Sequence, residues 1–191
     1  MANKKRLILA SLSKSRRSAL ALLGLKFSVI GSNVDESAVS EKNPERRVLT
    51  LAKMKAKAVA GKVKHAIVIG ADLIVVFRGR IYEKPATLKE AKAMLKSFSG
   101  KCVDIIAGLA VVDSDSGKML SKVKKCRIKF MKLDKKQIEN YIARYPVLSF
   151  SGAFDGNAAI MFSEGIYGDA MFYSGLPLSD LYKILKKFGA V

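Results

Sequence analysis

The stretch "VIGADLIVV", residues 68–76, is apolar enough for a buried strand yet carries a carboxylate, Asp72, at its middle. An ionised carboxylate buried without a partner is costly enough that it would sooner take up a proton. A cation or a ligand must therefore meet it. A second irregular place is "SLSKSRRS", where Lys14, Arg16 and Arg17 crowd the start of a helix. The helix macrodipole disfavours cations there by ~0.3–1 kcal/mol each at exposed positions. A bound anion reverses that penalty. Free backbone N–H groups, the hydroxyls of Ser11 and Ser13 and an arginine fork together form a phosphate cradle, though one without P-loop glycines. An ordinary capped helix with a solvated basic turn accounts for the same residues.

Two further places belong with these. On the helix expected over 44–60, an apolar stripe runs through Val48, Leu51, Ala52, Ala58 and Val59, and Lys55 falls on it, while Lys53 and Lys57 face away. An inward lysine can simply snorkel to the surface. In "VDES", Asp35 and Glu36 follow a strand. Adjacent acids at a strand end mean little alone, but beside Asp72 one of them completes an oxygen-rich site for Mg²⁺, an ion that uses one or two carboxylates together with substrate phosphates. That would be a nucleotide site.

Lys84 enters through strand register. If "FRG" forms a three-residue hairpin loop with Gly79 in the left-handed position, Val76 pairs with Arg80 and Asp72 lies opposite Lys84. A two-residue loop moves the register by one and puts the two on opposite faces. A plain cross-strand ion pair at a sheet end explains such an opposition as well as a catalytic role does.

The elements that must position these residues alternate in the manner of an α/β protein. "RLILAS" reads as a first strand, and "SKSRRSALALLG" as a helix capped by Ser13 with Gly24 just past its end. "KFSVIGSN" reads as a second strand. "NPERRVLTLAKMKAKAVAG" is a long helix with Asn43 as cap, Pro44 in its first turn and Gly61 closing it. After the strand bearing Asp72, "RIYEKP" returns, and "TLKEAKAMLKSFSG" follows with Thr87 and Glu90 spaced as a capping box. The runs "CVDIIAGLAVVD" and "SKVKKCRIKFMKL" are strands around the turn-rich "SDSGK". Helices "DKKQIENYIARY" and "LSDLYKILKKFG" complete the set.

With these motifs in order, the chain resembles the Maf family of nucleoside triphosphate pyrophosphatases. The likeness rests on "LILASLSKSRRSALALLGLKFSVIGSNVDES", "LAKMKAKAVA", "IGADLIVVFRGRIYEKP", "FSG" and "GLPLSDLYKILKKFG", and it covers nearly all of residues 1–191. It implies an elongated, two-lobed α/β fold of the Maf/ITPase-like kind, a mixed twisted sheet flanked by helices around a central cleft, in one domain with no separable linker. It also implies hydrolysis between the α and β phosphates of a nucleoside triphosphate, with Mg²⁺ or Mn²⁺, in a homodimer. By matching motifs, Ser11, Ser13 and Arg16 would hold phosphates, Glu36 and Asp72 would serve the metal and the water, and Lys55 and Lys84 would neutralise developing charge. Asp72 would be the general base, and Asn157 would lie where the base is read. Lys14 stands where the family's first motif has proline, Leu73 where threonine or glutamine is usual, Asn157 where many members have glutamine or glutamate, and Asp169 in place of the common "GS" form.

Composition sets the bounds. A chain of 191 residues, half of them hydrophobic, can bury one substantial core. No apolar run reaches the ~18 residues of a membrane span, and the start is too short in apolar residues for a signal peptide, so a soluble cytoplasmic protein is expected. Cys102 and Cys126 lack a metal-site spacing and read as small buried hydrophobes; His65 is the only histidine and sits at a loop-to-strand junction. The formal charge of +19 attracts polyanions. Its lysines are scattered, however, so a nucleotide substrate is expected and a dedicated nucleic-acid site is not.

Overall fold

A computed structural model describes residues 4–170 and 174–191. The strands are β1 (Arg6–Leu9), β2 (Ser28–Val29), β3 (Ala66–Phe77), β4 (Arg80–Tyr82), β5 (Cys102–Asp113), β6 (Met119–Phe130) and β7 (Ser163–Gly168). The helices are α1 (Lys14–Ala21), α2 (Pro44–Ala60), α3 (Leu88–Phe98), α4 (Lys135–Arg144), α5 (Gly156–Phe162) and α6 (Leu178–Lys187). Seven strands form one sheet in the order β2-β1-β3-β5-β6-β7, with β4 on β3. It is mixed: β1 runs parallel to β2 and β3, whereas β4 and β7 run antiparallel to β3 and β6. The α/β architecture read from the sequence is therefore the observed one.

The backbone groups into two compact units. One takes Met1–Leu73, Ala107–Lys124 and Ser174–Val191; the other takes Ile74–Ile106 and Lys125–Tyr173. In the first, the two-residue period of β3 sends alternate side chains to opposite faces. Ile67, Ile69 and Ala71 pack with Leu109, Val111 and the apolar sides of α1 and α6. Ala66 and Val68 pack with Ala110, Val112 and the small residues Ala52, Ala56 and Ala60 of α2. Asp72, two pleats on from Val68, shares the α2 face.

The helix starts follow their caps. Ser13 Oγ accepts from Arg16 N at 3.4 Å, Asn43 Oδ1 from Arg46 N at 3.0 Å with Pro44 in the first turn, and Thr87 Oγ1 from Glu90 N at 3.1 Å. Glu90 returns its carboxylate to Ala86 N instead of Thr87 N, so the expected capping box there is only half made. Asp134 and Gln137 make a complete one at α4. In the second unit the core is aromatic, with Phe98 set edge-on to Phe77 and Phe154, and Phe154 edge-on to Phe130.

Four further readings need correction. The second strand shrinks to two residues. On α2 it is Ala56 and Ala60 that join the buried stripe, and Ala58 is half-buried. Cys102 is exposed at the start of β5 and only Cys126 is buried. The hairpin after β3 turns in two residues, Arg78 (φ 50°) and Gly79 (φ 75°), giving the register Phe77–Arg80, Val76–Ile81 and Val75–Tyr82. Two left-handed residues match the twist of the flanking strands, which is why a two-residue turn displaces the three-residue alternative. Pairing stops at Val75–Tyr82, so β4 does not bring Lys84 opposite Asp72.

Candidate active site

Ser11, Lys55 and Asp72 are the three polar or charged side chains buried among the described residues, at 8%, 7% and 5% exposure. All belong to the first unit. Lys55 reaches inward from α2 and its Nζ donates to Asp72 Oδ1 at 2.6 Å. The same ammonium lies 2.8 Å from Glu36 Oε1. The cation that Asp72 demands is thus Lys55, and the snorkelling alternative for that lysine does not hold.

Glu36 begins a single turn of 3₁₀ helix, Glu36–Ala38, and its side chain stays 55% exposed. Asp35 serves that turn: its Oδ1 accepts from Ser37 N at 3.0 Å and from Ser37 Oγ at 2.6 Å. The turn geometry therefore separates two adjacent acids, one consumed by the backbone and one extended to Lys55.

The basic turn at the start of α1 divides in the same way. Lys14 and Arg17 are exposed. Arg16 folds back, with Nη1 donating to Ser11 Oγ at 3.3 Å, while its Nε is buried and has no hydrogen-bond partner among the described residues. Ser11 Oγ also accepts from Ser13 N at 3.3 Å, and the Ser13 and Ser15 hydroxyls lie 2.9 Å apart. An arginine N–H shielded from water and lacking an acceptor is a standing cost, which an anion relieves.

Burial dominates the electrostatics. Desolvation pushes the Asp72 carboxyl above the ordinary aspartate range, with Lys55 and Arg16 pulling it back and Glu36 adding to the rise. Desolvation likewise lowers Arg16, against the pull of Asp72 and Glu36. A carboxylate raised in this way is a better proton acceptor than a free one.

Lys84 and Asn157 lie in the second unit. Lys84 is exposed just beyond β4. Asn157 is exposed near the start of α5, and its Nδ2 donates to Asp155 Oδ2 at 3.1 Å. Asp155 caps α5 by accepting from Ala158 N at 3.0 Å, and Tyr141 Oη donates to it at 3.2 Å. Sequence reading singled out Asn157 but missed α5 and its polar partners Asp155 and Tyr141.

No group of three or more His, Cys, Asp or Glu side chains arranged to hold a metal occurs among the described residues. The donor chemistry present is two carboxylates, Glu36 and Asp72, converging on one ammonium. That set fits an ion such as Mg²⁺, which takes one or two carboxylates and completes its shell with water and substrate phosphates.

A family model described as Maf-like protein matches residues 6–188. The chain belongs to the Maf family. Among its curated relatives, the dTTP/UTP pyrophosphatase of Pelotomaculum thermopropionicum is 41% identical over 187 residues, covering 97% of each chain. That of a Geobacillus species is 40% identical over 187 residues, covering 97% of this chain and 99% of the relative. That of Bacillus cereus is 37% identical over 188 residues, covering 97% and 91%. The family resemblance read from the motifs is therefore established for this chain.

Proposed function

We propose that this Maf protein hydrolyses the α–β anhydride of a pyrimidine nucleoside triphosphate, dTTP or UTP and their modified forms, to the monophosphate and pyrophosphate. The observation that carries the reading is the Glu36–Lys55–Asp72 cluster beside Arg16, whose buried Nε has no hydrogen-bond partner among the described residues, in a chain whose relatives are named for dTTP and UTP.

In this reading Arg16, Ser11 and Ser13 hold phosphate oxygens, and the acceptor missing at Arg16 Nε is one of them. Glu36 and Asp72 would hold a divalent cation, Mg²⁺ or Mn²⁺, whose chemistry there would be to neutralise phosphate charge and lower the pKa of the attacking water. Lys55 fixes Asp72 by its Oδ1, leaving the second oxygen to accept a proton from the attacking water. That water's oxygen bonds to phosphorus as the bridging P–O bond breaks, and pyrophosphate leaves. Lys55 remains next to the reacting carboxylate as a fixed positive charge. Lys84 as a further countercharge and Asn157 as a contact to the nucleoside rest on the family resemblance. A homodimer in the cytoplasm completes the proposal.

The test is a pyrophosphate-release screen over common and modified nucleoside triphosphates with the metal varied. Turnover of dTTP and UTP above purine triphosphates, abolished by EDTA, is the expected result. A rival reading draws on the +19 charge: a nucleic-acid-binding relative without activity. It prevails if no triphosphate turns over while a duplex or single strand binds with a steep salt dependence.

A further inference from the structure

We propose that Gly70 and Gly108 are positioning residues for this site: their bare Cα atoms let α2 approach the sheet closely enough for Lys55 to hold Asp72. The two glycines lie on β3 and β5, neighbouring strands under α2. A Cβ on Gly70 would stand 2.3 Å from Ala52 O and 2.7 Å from Ala56 N; one on Gly108 would stand 2.2 Å from Val48 O. Real Cβ atoms do not come within 3.0 Å of such neighbours. The obstructing atoms are helix backbone, so no side-chain rotation relieves them, and α2 itself must move.

Lys55 lies between the two helix residues that Gly70 meets. Asp72 lies two residues beyond Gly70 on the same face of β3. The glycine contact and the ion pair therefore share one stretch of helix and one stretch of strand. The Nζ–Oδ1 distance is 2.6 Å, so a helix displaced by about 1 Å carries the ammonium past hydrogen-bond range unless its side chain follows. Misplacement on that scale costs about 10²-fold in rate when it reaches a reacting group. Glycine also weakens a strand's interior, a cost accepted where another backbone comes close.

The proposal rests on the pyrophosphatase reading for its kinetic arm only. Gly70→Ala should lower kcat at least about tenfold with KM within about threefold, and the same change in a Lys55→Met background should cost almost nothing more, because neighbours acting through one contact are not additive. Acylation of lysines by acetic anhydride, read by mass spectrometry without any substrate, should rise about tenfold at Lys55 and stay constant at Lys53 and Lys57. If Gly70→Ala does not fold, Ala56→Ser, which adds one atom between α2 and β3, carries the same measurements. Wild-type kcat in a folded variant, an equal loss in both backgrounds, or Lys55 as protected as before would overturn the proposal. A wild-type chain that releases no pyrophosphate would instead overturn the pyrophosphatase reading, with the acylation arm still deciding the role of the glycines.

Discussion

Two lysines of the first unit each sit between two carboxylates, with opposite electrostatic results. Lys5 meets Asp113 at 2.6 Å and Asp115 at 2.9 Å, at the turn between β5 and β6. Lys55 meets Asp72 at 2.6 Å and Glu36 at 2.8 Å under α2. The contact lengths are nearly the same, so distance does not distinguish them. Solvent does. Around Lys5 the ion pairs and turn amides hold both acids below their usual range, Asp115 at about 2 through Lys5 and the His65 amide. Around Lys55 the loss of water outweighs the pairing, and Asp72 is pushed up. One cluster is a relaxed surface staple. The other holds a carboxylate and an ammonium in a place that neither would choose without the other, which is the condition under which a group is available for chemistry.

The sharpest way to break this comparison is by activity. Asp72→Asn should lower pyrophosphate release by about 10²–10⁴-fold, the span of a lost general base, with its circular dichroism unchanged. Asp115→Asn should stay within about twofold of wild type under the same assay. Equal effects would mean that burial does not separate the two clusters.

Next in size is stability. Lys55→Met leaves Asp72 buried without its partner, and urea unfolding should show a loss of about 3–5 kcal/mol, reduced by whatever extent Asp72 takes up a proton. Lys5→Met removes a solvent-screened contact and should shift the midpoint far less.

The finest test is the sign of the pH dependence without metal. Asp72 has a folded-state pKa above its ordinary 3.8, so its contribution falls as pH rises from that value to the raised one, where the folded state gives up a proton it holds more tightly. Asp115 is depressed to about 2, so its contribution is complete above 3.8 and is lost as pH falls toward 2. Thermal melts of Asp72→Asn and Asp115→Asn against wild type should therefore diverge in opposite pH windows.

Much of this site was legible beforehand because it broke local rules. A carboxylate in an apolar strand, a lysine on an apolar stripe and cations at a helix start each carry a physical cost, and Asp72, Lys55 and, of those cations, Arg16 alone belong to the assembled cluster. Asp35 and Glu36 could not be told apart, since adjacent acids differ only in the turn that follows. Lys84 was tied to Asp72 by a register that one residue of hairpin loop decides, and Arg78 adopted the left-handed conformation that the longer loop would have left to Gly79 alone. α5 was invisible because its seven residues, Gly156–Phe162, are too few to show a period. Gly70 and Gly108 had a visible mark, glycine inside an apolar strand run, but its meaning depended on which helix lay above.

The amino-acid sequence alone determined the helix caps, the α/β alternation and the family, because these follow from neighbours along the chain and from motifs in order. Only the tertiary structure decided that Lys55 rather than Lys84 pairs with Asp72, and that Arg16 is the cation shielded beside them. Partner choice at a buried charge is set by distance and dielectric, and both arise only when α2 and α1 have packed on the sheet.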